Sequence, residues 1–213
     1  MKFKGIIFDL DGVLVHTDKL HYRAWKKIAD ARGISFNEEM NNLLRGVSRM
    51  ESLEIILRNY HGPALSEDEK LAIAEEKNSY YKEELKAMTP ADVTEEVREA
   101  LSALKAAGMK VAIGSSSKNT KFILKQVGLY QVFDAVSDGT NIRKSKPDPE
   151  VFLKAAEYIS LAPSECLVVE DAVAGIEAAK SGGMKAAGIG DAASYEKTDY
   201  RLATFANLKD IVL

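Results

Sequence analysis

The sequence has one cysteine, Cys166, in 213 residues. An intrachain disulfide is excluded, and a reducing, cytosolic setting is expected. Long apolar runs are also missing. A membrane-spanning helix needs about 20 mostly apolar residues, and the first apolar stretch, Gly5-Ile6-Ile7-Phe8, stops at Asp9. That is too short for a signal peptide's apolar region, so a soluble, cytoplasmic protein without a membrane partner is expected. There is no excess of basic charge: Lys plus Arg number 29 against 32 Asp plus Glu, for a net charge of -3. This balance argues against broad nucleic-acid binding but leaves open an anionic small molecule held by a local Lys/Arg cluster. Neither a Walker motif nor Gly-x-Gly-x-x-Gly occurs, so no nucleotide-cradling loop is indicated. No internal repeat or low-complexity segment interrupts the chain.

What is present is an ordinary globular composition, 46% apolar, at a length that suits one or two domains. Short apolar runs alternate with helical patterns. Residues 6–8, 111–113, 133–136, 166–169 and 185–189 are each bounded by Gly, Asp, Ser or Pro, and predict strands buried on both faces of a parallel sheet. Between them, Val97, Leu101 and Leu104 recur at helical spacing. Phe122, Ile123 and Val127 do likewise, as do Val151, Phe152, Ala155 and Ile159. Ala172 to Lys180 predicts an alanine-rich helix stopped by Ser181-Gly182-Gly183. The alternation predicts an α/β fold with a doubly wound parallel sheet.

One stretch departs from the alternation. From Thr17 to Lys86 there are helical patterns and no strand. Leu20, Ala24 and Ile28 share a face. Met50, Leu53, Ile56, Leu57 and Tyr60 fit a second helix, and Ser66 with Glu69 forms a capping-box start for a third running toward Leu85. These predict a helical cap domain, residues 17–87, inserted into a core of residues 1–16 and 88–213. Beyond Ala192 only Leu208 to Leu213 carries a pattern, one that could close the fold.

Ligands of open parallel sheets bind at the carboxyl ends of the strands. Asp9 and Asp11 follow the first predicted strand. Ser115, Ser116, Ser117, Lys118 and Asn119 follow the second, Lys146 follows the third, and Glu170 with Asp171 follow the fourth. Four carboxylates on one edge repel one another unless a cation sits among them. Hard oxygen ligands make Mg²⁺ the natural ion. Serines and a lysine beside Mg²⁺ suit a phosphoryl group. One carboxylate could attack phosphorus, and a second, two residues on, could serve as general acid/base. Each element alone has a plainer reading as a turn, a helix cap or a solvated face. The inference rests on all four landing in order after successive strands.

These residues resemble the haloacid dehalogenase superfamily of phosphotransferases. Its four motifs match Asp9-Leu10-Asp11-Gly12-Val13, Ser115, Lys146-Pro147 and Glu170-Asp171. Within it, His21 to Trp25, Gly46-Val47-Ser48-Arg49, Lys77-Asn78, Pro90 to Val93 and Ser117-Lys118-Asn119 are similar to the bacterial β-phosphoglucomutase family. The resemblance implies a Rossmann-like core with an inserted helical cap. It implies a monomer acting on a sugar phosphate, with Mg²⁺ bound and glucose 1,6-bisphosphate as phosphorylating activator. Asp9 is then the nucleophile and Asp11 the acid/base, its backbone carbonyl helping Glu170, Asp171 and Asp9 to hold the metal. Ser115, the Ser116 amide and Lys146 hold the transferring phosphate. Arg49, Ser117, Lys118 and Asn119 grip the other phosphate. His21, Trp25, Lys77, Gly46, Val47 and Ser48 line the sugar site, and Thr17 marks the hinge. His16 stands where the family usually has Asp, and Ser116 where it has Ala. The alternatives are a sugar-phosphate phosphatase on the same core and a non-catalytic regulatory homologue.

Overall fold

In the computed structural model, which describes residues 3–213, six strands form one all-parallel sheet in the order β3-β2-β1-β4-β5-β6. Residues 1 and 2 of the expected core segment lie outside the described residues. The strands are β1 Gly5–Phe8, β2 Lys110–Gly114, β3 Ala135–Ser137, β4 Cys166–Glu170, β5 Lys185–Ile189 and β6 Tyr200–Leu202. β1 is central, pairing Ile7 with Ala112 of β2 on one side and with Val168 of β4 on the other. The strand order reverses at β1, so its carboxyl end and that of β4 open one crevice, the place where such sheets bind ligands.

Side chains alternate across each strand. Ile6 and Phe8 of β1, with Leu167 and Val169 of β4, face one apolar cluster. That cluster is covered by α5 (Glu95–Ala106), α6 (Thr120–Gln126) and α9 (Asn207–Val212). Ile7, Cys166 and Val168 face the other, covered by α7 (Glu150–Tyr158) and α8 (Val173–Ser181). The fold is thus an α/β, doubly wound parallel sheet. Between β1 and β2 the chain inserts four helices: α1 (Asp18–Asp30), α2 (Glu38–Asn42), α3 (Arg49–Leu57) and α4 (Glu67–Leu85). They enclose a third cluster of Trp25, Ile28, Phe36, Leu53, Ile56 and Ile73. Tyr81 and Leu85 of α4 run down into the sheet's own core, joining the two bodies. Capping boxes at Ser48 with Glu51 and at Ser66 with Glu69 fix where α3 and α4 start. No helix among the described residues is long and apolar enough to cross a membrane.

The structure corrects several sequence expectations. The third strand begins at Ala135, not Phe133. Asp134 intervenes, its carboxylate accepting the Val111 N–H at 2.8 Å, and Phe133 turns into the core instead. As the edge strand, β3 leaves Ala135 and Val136 only half-buried, so it is not covered on both faces. Phe122 is 39% exposed, and α6 buries Ile123 and Leu124. The second predicted helix ends at Leu57, before Tyr60. The short helix α2 and the edge strand β6 were not expected.

Candidate active site

Asp9 sits one residue past β1 and Glu170 ends β4, so the central strand pair delivers both to the same crevice. Asp9, Glu170 and Asp171 can each present a carboxylate oxygen such that all three lie within 4.8 Å of one another. Lys146 is buried beneath them. Its Nζ donates to Asp9 Oδ1 at 2.5 Å and also to Glu170 Oε1. Burial works against that ammonium, but the two carboxylates hold its pKa above the usual lysine range. Three carboxylates nevertheless face a single positive charge. Burial, with Glu170 and Asp11 adding repulsion against the pull of Lys146, pushes Asp9 up to about 8. Burial, then Glu170 and Asp9, pushes Asp171 to about 9. A buried, all-oxygen donor set with uncompensated negative charge has the chemistry of a divalent-cation site. The turn that makes it requires Gly12. Its φ is +88°, and a Cβ there would lie 2.0 Å from Asp171 Oδ2.

The Asp11 carboxylate is not one of the three that meet within 4.8 Å, but it lines the same crevice and adds repulsion at Asp9. It accepts a hydrogen bond from Thr17 Oγ1. Burial raises the Asp11 pKa against the opposing pull of that hydrogen bond and of Lys146. Thr17 itself is 1% exposed and lies behind Asp11, just ahead of α1. His16 points to solvent.

The loop after β2 is built from its own hydroxyls. Ser115 Oγ accepts from Ser117 N at 3.2 Å, and Ser117 Oγ accepts from Asn119 N at 3.1 Å. Ser116 Oγ is buried without a hydrogen-bond partner, while Lys118 is exposed at the rim. Asn119 Nδ2 donates to Asn78 Oδ1 of α4 at 3.0 Å, so the loop is tied to the helical insertion. Opposite, Lys77 Nζ lies 2.8 Å from His21 Nδ1 and 5.0 Å above the Trp25 ring. Burial, followed by repulsion from Lys77 and Arg49, takes the His21 pKa well below its ordinary value. Arg49 pairs with Glu75 at 2.6 Å. All these groups, with Gly46, Val47 and Ser48, line one cleft of about 1330 Å³ between the insertion and the sheet edge. Of the expected site residues only Thr17 and Glu170 lie behind its wall.

Comparison with known proteins adds the family. The sequence profile of the haloacid dehalogenase-like hydrolases matches residues 3–183. The chain belongs to this family. It is 41% identical over 190 residues to the β-phosphoglucomutase of Bacillus subtilis strain 168, covering 88% of this chain and 83% of that protein. It is 32% identical over 184 residues to a phosphorylated carbohydrates phosphatase of Thermotoga maritima, covering 85% and 82%. Its structure is similar to that of β-phosphoglucomutase from Clostridium difficile, with a TM-score of 0.90 and 35% identity, covering 97% of this chain and 93% of that one.

The core motifs announce themselves in the sequence of this dehalogenase-like hydrolase, but some cleft residues do not. Tyr81 and Arg45 also line the cleft. Tyr81 follows Lys77 on the buried side of α4, where the expected solvated face left no signal. Arg45 stands in a loop without periodicity.

Proposed function

We propose that this dehalogenase-like hydrolase is a Mg²⁺-dependent β-phosphoglucomutase. In it, residues 17–87 act as a cap over the core. Asp9 carries the phosphoryl group as an aspartyl phosphate and passes it to the 6-hydroxyl of β-glucose 1-phosphate. Asp11 takes that hydroxyl's proton. The bisphosphate then presents its other phosphate to Asp9, which takes it back and leaves glucose 6-phosphate. Lys146, Ser115 and the Ser116 amide hold the transferring group, while Arg49, Ser117, Lys118 and Asn119 hold the distal one. His21, Trp25 and Lys77, with the loop Gly46 to Ser48, form the sugar's enclosure. Mg²⁺ at Asp9, Glu170, Asp171 and the Asp11 carbonyl would neutralise charge on the phosphoryl oxygens.

The observation that carries this proposal is the pairing of Asp9 and Lys146 at the sheet edge with Arg49 on the facing helix of the same cleft. Two anion-holding stations suit a substrate that turns end for end. A phosphatase shares the first chemical step and needs only one station. The test is phosphorylation by acetyl phosphate and Mg²⁺, followed by mass spectrometry. Wild type should gain one phosphoryl group on Asp9 and transfer it to β-glucose 1-phosphate. Asp9→Asn should gain none, with residual turnover below about one part in a thousand. Asp11→Asn should still be phosphorylated but transfer about 10²–10⁴-fold more slowly. A phosphoenzyme that releases its group only to water would favour the phosphatase.

A further inference from the structure

Besides the Asn119–Asn78 hydrogen bond, an ion pair ties the helical insertion to the core. Arg45 lies in the loop between α2 and α3. Its Nη1 donates to Asp191 Oδ2 at 2.8 Å, in the turn that follows β5. Its Nη2 lies 2.6 Å from Asp18 Oδ2, at the first residue of α1. Asp18 and Arg45 belong to the same insertion, so Asp18 aims the guanidinium and Asp191 receives it across the gap. Beside it, Gly46 adopts φ +75°, and a Cβ there would sit 3.2 Å from the Cβ of Ala172. The loop therefore rests directly on the residue after Asp171. The receiving turn is also wired to the carboxylates, because Ala192 N donates to the Asp171 carbonyl at 3.1 Å.

We propose that Arg45 and Asp191 are positioning residues that clasp the insertion shut over the carboxylate site. The clasp then sets whether the phosphoryl group on Asp9 goes to a sugar or to water. In the first outcome the Asp9–phosphorus bond breaks, a sugar oxygen–phosphorus bond forms, and the hydroxyl proton passes to Asp11. In the second, water takes the sugar's place and inorganic phosphate leaves. Neither residue touches the reacting atoms. With the clasp open, the loop Gly46 to Arg49 lifts from Ala172 and water enters. Asp191 is 81% exposed, so the pair is worth a modest factor and is weakened by salt.

The partition claim rests on the proposed mutase function, and the test separates the two. Amide hydrogen exchange at residues 46–48 is measured in the full chain for wild type, Asp191→Asn and the charge-keeping Asp191→Glu, which leaves the Arg45–Asp18 pair intact. In parallel, inorganic phosphate and glucose 6-phosphate are measured from β-glucose 1-phosphate. Asp191→Asn should speed exchange and raise the hydrolysed share by about two- to fivefold. High salt should move wild type, but not the variant, in the same direction. Asp191→Glu, which keeps the charge, should show at most half of either effect. Unchanged exchange overturns the clasp, and faster exchange with an unchanged hydrolysed share overturns its role in partition. A wild type that makes no glucose 6-phosphate overturns the mutase function instead. The clasp is then judged by exchange and by the lifetime of the phosphoenzyme formed with acetyl phosphate.

Discussion

Replacing Lys77 by methionine is expected to stabilise the protein while impairing it. Lys77 is 2% exposed and no carboxylate pairs with it. Burial, followed by repulsion from Arg49, brings its pKa down from 10.5 to about 7. An unfolded lysine keeps its proton to about pH 10.4. Between the two values the unfolded chain therefore binds more protons, and stability rises with pH. Below the folded value the whole penalty is in force. At 1.36 kcal/mol per unit, that span sets a ceiling of about 5 kcal/mol on the cost at neutral pH. Methionine keeps the apolar stem but loses the contact with His21 and the ammonium's position 4.5 Å over the Tyr81 ring. Each is worth about 1 kcal/mol. A net gain of about 2 kcal/mol is expected at pH 7, shrinking to near zero by pH 10. Urea unfolding of both proteins at the two pH values measures it. Sugar-phosphate turnover should fall, because Lys77 faces the cleft. A variant less stable at pH 7, or a gain that grows toward pH 10, would refute the reasoning.

Gly12→Ala should cost about 2 kcal/mol or more and abolish metal-dependent turnover, since its Cβ would strike Asp171; thermal unfolding and activity with Mg²⁺ check both. Lys146→Ala leaves Asp9 and Glu170 unpaired in the interior. It should destabilise by about 3–5 kcal/mol in chelator, with part recovered on adding Mg²⁺, as read by melting temperature. Arg49→Ala should cripple conversion of glucose 1-phosphate yet leave Asp9 open to acetyl phosphate, and Arg49→Lys should rescue it only partly. Near-wild-type mutase kinetics in Arg49→Ala would remove it from the distal phosphate site.

The parts of the fold that were legible are those where one strand carries its own message. Ile6-Ile7-Phe8 and Cys166 to Val169 are apolar on both faces because both faces are covered, and the carboxylates directly after them mark the crevice. Edge elements are weaker signals. β6 has three residues with Arg201 exposed, so nothing periodic remains to find. Side-chain direction was not legible. That the Asp11 carboxylate accepts from Thr17, six residues on, is set by the folded turn. Lys77 lies in a run of charge, Glu75-Glu76-Lys77, that reads as a solvated face. Only the packing of α4 on α1 buries the third of these while leaving the first exposed. The Arg45–Asp191 contact joins residues 146 positions apart and belongs wholly to tertiary structure.

The most direct test of the central claim is incubation with β-glucose 1-phosphate, Mg²⁺ and a trace of glucose 1,6-bisphosphate, with glucose 6-phosphate and inorganic phosphate measured together. Wild type should accumulate glucose 6-phosphate with little inorganic phosphate, and Asp9→Asn should form neither. Glucose and inorganic phosphate released in equal amounts, without glucose 6-phosphate, would contradict the account.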